Sequence, residues 1–112
     1  MAANQLRIGA EDIGAAQGQN VRAMGKLLSF DGTTAQLQLA GEGPPLAVTG
    51  HGLDEKLSQG GDVPINKGYF EAIGMLQAGS LQMMQMVYMG ENVDMGMYAQ
   101  MLALTKQVPD LF

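Results

Sequence analysis

Residues 20–40 read NVRAMGKLLSFDGTTAQLQLA, two strands and the turn between them. In the second, Ala35, Leu37 and Leu39 alternate with Thr34, Gln36 and Gln38. A period of two places one set on a core face and the other outside. In the first, Val21, Ala23 and Leu27 alternate with Arg22, Met24 and Lys26, and Gly25 permits a bend or bulge in the middle. Asp31-Gly32 between them is a strong hairpin signal. Next, Gly41-Glu42-Gly43-Pro44 reads as a turn and Pro45 to Thr49 as a third strand, with Leu46 and Val48 inward. Residues 50–68 read as a connection in which Leu53 to Ser58 makes one helical turn. Tyr69 to Gln77 is a fourth strand, again with a central glycine, Gly74, and Ala78-Gly79 turns it into a fifth, Leu81 to Met89.

The fifth strand is apolar on both faces, Leu81, Met83, Val87 and Met89 on one and Met84, Met86 and Tyr88 on the other. Such a strand is covered on both sides. Ahead of the first strand, residues 7–18 form a weak segment, read as a short helical turn or a strap. Five short strands, two of them bent at glycine, with an element between the third and fourth, predict a mainly β chain. The expected architecture is a five-stranded OB-fold barrel with a C-terminal α-helix. An SH3-like barrel is the structural rival. The expected organisation is an N-terminal strap over 1–18, the barrel over 19–90 and the helix over 91–112, in one domain.

The helix spans Asp94 to Phe112, and its apolar residues Met97, Met101, Leu104 and Val108 are spaced four, three and four apart. That is the narrow seam of helices that pack on helices. It needs a cover, supplied by its own barrel or by partner helices. Eight of the ten methionines follow Gly74. Methionine fills irregular gaps and adaptable surfaces.

Composition narrows the function. The net charge is −5, with six Lys and Arg against eleven Asp and Glu. Such a chain repels phosphate at long range. There is no cysteine, so disulfides and thiolate metal sites are excluded. No run approaches the ~20 apolar residues of a membrane span, and no secretory leader or membrane partner is expected. The one histidine, His51, lies between glycines. No spacing suggests a nucleophile and base, a metal set or a phosphate loop. No catalytic residue, metal or cofactor is expected, and the chain is not read as an enzyme.

In order along the chain, several stretches resemble the smallest subunit of replication protein A, the eukaryotic single-stranded-DNA-binding heterotrimer. They are Arg7-Ile8, Val21 with Gly25-Lys26-Leu27, Leu53-Asp54-Glu55, Glu71-Ala72-Ile73-Gly74, the fifth strand ending near Tyr88, and Asp94-Met95-Gly96-Met97-Tyr98. Pro109 and Phe112 echo a late proline and aromatic, while residues 60–68 look like extra length. The resemblance implies an OB-fold whose last helix joins one helix from each of the middle and large subunits. It implies action in DNA replication, repair and recombination, in the nucleus. On that analogy Met97, Met101, Leu104 and Val108 fill the bundle core, Tyr98 and Leu102 flank it, and Asp94 caps the helix.

An OB-fold grips single strands with a basic groove and aromatic platforms. Here the basic residues are scattered, and the loops Asp31-Gly32 and Ala78-Gly79 are short and not basic. Arg22 and Lys26 are the only weak DNA contact suggested, and two solvated charges is the plainer account of them. Single-stranded DNA is therefore expected to reach this chain mainly through its partners. Two other readings stay open: an autonomous single-strand-binding module, and the small OB subunit of a telomere-capping trimer.

Overall fold

The computed structural model describes residues 6–41, 43–59 and 61–107. The strands are β1 (Leu6–Ile8), β2 (Asn20–Phe30), β3 (Thr34–Leu39), β4 (Leu46–Thr49), β5 (Tyr69–Gln77) and β6 (Ser80–Gly90). The helices are α1 (Leu53–Leu57) and α2 (Met95–Gln107), with one 3-10 turn at Ala10–Asp12. Val108, Pro109, Leu111 and Phe112 lie outside the described residues. No described helix is long and apolar enough to cross a membrane.

The sheet order is β1-β2-β3-β4-β6-β5, and β5 pairs back to β2. Five strands thus form a ring, with β4 and β6 parallel where it turns and its other joints antiparallel. β2 serves two neighbours because it bends at Gly25, which pairs with both Leu39 and Phe70. A Cβ on Gly25 would sit 2.6 Å from the Gln38 carbonyl oxygen. Only glycine allows strands to cross that closely.

The sixth strand, β1, runs parallel to β2, pairing Leu6 to Ile8 with Val21 to Ala23. It takes the same edge of β2 that β3 uses from Gly25 onward, since β5 holds the other edge. The N-terminal segment is therefore part of the sheet as well as a strap. The Ala10 amide ties it to the end of β3 by donating to the Ala40 carbonyl at 2.8 Å.

The interior follows the alternation. Val21, Ala23, Leu27, Leu37, Leu46, Val48, Phe70, Leu76 and Leu81 are fully buried. Leu53 and Leu57 of α1 join the same cluster. Gln59, just past α1, donates to the Met86 carbonyl at 2.7 Å and so pins this helix to β6. The extra length before β5 laces onto β2: the Asn66 amide donates to the Leu27 carbonyl at 2.7 Å, and the Leu27 amide to that of Gly68 at 2.9 Å.

The faces of β6 differ from simple alternation. Its register against β5 shifts between Ile73↔Gln85 and Gly74↔Met83, which leaves Met84 as an extra residue. A bulge flips every side chain beyond it. Leu81 and Met83 therefore share the inner side with Met86 and Tyr88, while Met84 and Met89 are exposed. The two-sided apolar pattern predicted for this strand comes from one inner face that changes parity midway.

Candidate partner interface

Helix α2 is opened by Asp94, whose Oδ1 accepts the Met97 amide at 3.1 Å while its carbonyl accepts the Tyr98 amide. That satisfies amides the helix itself cannot pair. At 3.6 residues per turn, Met95, Ala99 and Leu102 lie on one side and Met97, Met101 and Leu104 on the other. The structure treats these sides differently. Leu102 is 5% exposed, whereas Met97 is 67% and Leu104 47% exposed.

The side turned inward rests on the outside of the ring. Met24 and Ile73 point away from the core by strand parity, yet both are buried and neither belongs to the main core cluster. Around them β2 and β5 present Arg22 and Glu71, with Arg7 beside Arg22 on β1. The Tyr98 hydroxyl is buried within electrostatic reach of Arg7, Arg22 and Glu71. Burial pushes its phenol up from the ordinary value; the Glu71 carboxylate adds to this, and Arg7 and Arg22 oppose it. Its hydroxyl is buried without a hydrogen-bond partner. The Arg7 guanidinium reaches the Met101 sulfur at 4.0 Å. Tyr98 and Leu102, assigned to the flanks of a partner bundle by resemblance, thus face their own ring. Met97 and Leu104 do not, and Met101 is half-buried between.

Of the two cations proposed for DNA, Arg22 lies 3.8 Å from Glu71 Oε1 under this helix. Lys26 is half-buried on β2 opposite Tyr69. OB-folds hold oligonucleotides on the face formed by the second and third strands of the ring; Lys26 pairs with Gln38 at the edge of that face, whereas Arg22 pairs with Arg7 and Ile73 away from it. Here those strands are β3 and β4. Their outward residues Thr34, Gln36, Gln38, Ala47 and Thr49 continue through the β4–β6 pairing to Ser80 and Gln82. These strip residues are uncharged and none is aromatic, with Lys26 beside Gln38 at the edge. The β2–β3 loop is closed by Asp31, whose Oδ1 accepts the amides of Thr33 and Thr34 at 2.9 and 2.8 Å. These bonds hold the Asp31 carboxyl below the ordinary carboxylate value. The β5–β6 turn is Ala78-Gly79, both at positive φ as a tight hairpin requires. Among the described residues, no three His, Asp or Glu side chains come together as a metal set.

The family described as replication factor A protein 3 matches residues 1–112. The chain belongs to that family. No curated protein sequence matches it significantly. Among solved structures it is similar to a chain of Ustilago maydis replication protein A bound to single-stranded DNA. The identity is 21%, the TM-score 0.80, and the match covers 96% of this chain and 94% of that one. It is also similar to a chain of the Schizosaccharomyces pombe Stn1–Ten1 complex, at 13% identity and TM-score 0.73, covering 96% and 97%. A chain of yeast replication protein A bound to single-stranded DNA matches at 12% identity and TM-score 0.65, covering 100% of both. At these identities the structural matches speak for the fold. It is the OB arrangement predicted, a five-stranded ring with a helix between its third and fourth strands and another at the end. Membership in the replication factor A protein 3 family agrees with the resemblance carried by Gly25-Lys26-Leu27 and Asp94 to Tyr98.

Proposed function

We propose that this chain is an assembly subunit of a heterotrimeric single-stranded-DNA-binding complex acting in nuclear DNA replication, repair and recombination. Helix α2 joins one helix from each of the middle and large subunits in a three-helix bundle. Met97, Met101 and Leu104 enter its core, and Val108 extends the same spacing. The observation that carries this reading is the division of labour on α2: one apolar side is already packed on the ring, and the other remains in solvent. DNA is held chiefly by the partners, because the β3–β4 face of this chain is neutral and without aromatics. The similarity to a Stn1–Ten1 chain favours a telomere-capping trimer as the second reading; family membership favours the first.

Leu104→Glu tests the proposal. Leu104 is exposed in the free chain, so the variant should fold with an unchanged melting temperature. In the assembled bundle it buries an unpaired carboxylate, which should cost ~3–5 kcal/mol of association. Co-purification with the larger subunits should therefore be lost. Retained assembly by this variant would overturn the reading. The identity of the co-purified subunits separates a replication complex from a telomeric one.

A further inference from the structure

The proposed bundle needs α2 to offer its seam at one angle, yet the helix follows a short connection, residues 91–94. We propose that Leu102 and Tyr98 are positioning residues: they clamp α2 to the outside of its own ring, so that the seam of Met97, Met101 and Leu104 is presented in a fixed direction before any partner arrives. This inference rests on the assembly reading and adds the device that orients it.

The clamp has two points. At the first, Leu102 sits against Gly9 and the end of β3. A Cβ on Gly9 would lie 3.3 Å from Leu102 Cδ1 and 2.8 Å from the Ala40 carbonyl oxygen. The missing side chain leaves the socket that Leu102 occupies, and Ala40 is buried beside it. At the second, about one turn earlier, the Tyr98 hydroxyl is buried near the Arg7, Arg22 and Glu71 charges on the outer side of β1, β2 and β5, and the Arg7 guanidinium reaches the Met101 sulfur on the same helix at 4.0 Å. Two contacts one turn apart fix both the direction of a helix and its rotation about its axis. Rotation matters most, because it decides which residues meet a partner. A side chain ordered before binding also spares the complex the entropy of ordering it later.

The chain has no cysteine, so paired spin labels can be placed without competition. Labels at Gln77→Cys and Gln100→Cys, both exposed positions, report the distance from ring to helix. The free chain should give a narrow distribution. Leu102→Ala and, independently, Tyr98→Ala should broaden it, while Tyr98→Phe should keep it narrow because the ring supplies the packing. With the two larger subunits purified from the native source, both alanine variants should associate about tenfold more slowly. Tyr98→Phe should associate at the normal rate. A broad distribution in the unaltered chain overturns the clamp, as does a narrow one that survives both alanine variants. Broadening without slower association overturns its role in presentation. Failure of the assembly reading looks different: the labels still report a held helix, and Leu104→Glu still assembles.

Discussion

Tyr98 carries a buried hydroxyl that no neighbour satisfies, and such a group typically costs ~1–3 kcal/mol. Tyr98→Phe removes the cost and keeps the ring, so it should stabilise the chain by about 1 kcal/mol in denaturant unfolding. Because the folded state favours the protonated phenol, its contribution is intact below about pH 10 and is lost as pH rises through the folded value. The phenylalanine variant should lack that alkaline loss. Asp31 behaves in the opposite sense. Its carboxyl is lowered by the Thr34 and Thr33 amides and the Thr33 hydroxyl. The stability it brings is present above the unfolded carboxylate value and is lost as pH falls through the folded one. Asp31→Asn should lose the wild-type advantage at neutral pH and converge with wild type in acid, read from unfolding midpoints across a pH series. The Asp31 turn was legible in the sequence because Asp-Gly acts locally. The Tyr98 environment was not, since its neighbours Arg7, Arg22 and Glu71 come from three separate strands.

Elements divide in the same way. Alternation and turn residues alone place β3, which ends at Leu39, one residue before the Ala40 end its sequence suggests, and Tyr69–Gln77 appears with the bounds its sequence suggests. The face of β6 did not follow, because parity counting has no means to see the extra residue at Met84 that shifts the register. The four-three-four spacing of Met97, Met101, Leu104 and Val108 marks out one apolar side in the sequence. Which apolar side meets the ring was not readable, because Met95, Ala99 and Leu102 are as apolar as the seam. The choice depends on the socket at Gly9, far away in sequence. The start of α2 is a local matter again. Asp94→Ala removes the acceptor for the Met97 amide and should cost ~0.5–2 kcal/mol. Hydrogen exchange should quicken at Met97 and Tyr98 first, with the ring amides unchanged.

At the scale of the molecule, the ring order came from counting elements: a helix between the third and fourth strands selects the OB arrangement over its rival. The parallel joint of β4 and β6 is long-range and carries no local mark. With a net charge of −5 and a neutral β3–β4 face, the isolated chain should bind oligonucleotide more weakly than ~10⁻⁴ M at physiological salt. Tight binding with a steep salt dependence in a low-salt titration would instead favour the autonomous module. The short strand β1 has a consequence of its own. Where β3 leaves β2 at Gly25, the backbone of Val21 to Ala23 would otherwise stand bare, and bare strand edges recruit strands from other molecules. Residues Leu6 to Ile8 fill that gap and also set Arg7 beside the docked helix. One short segment therefore acts as a guard against unwanted pairing and as part of the bed on which the last helix lies.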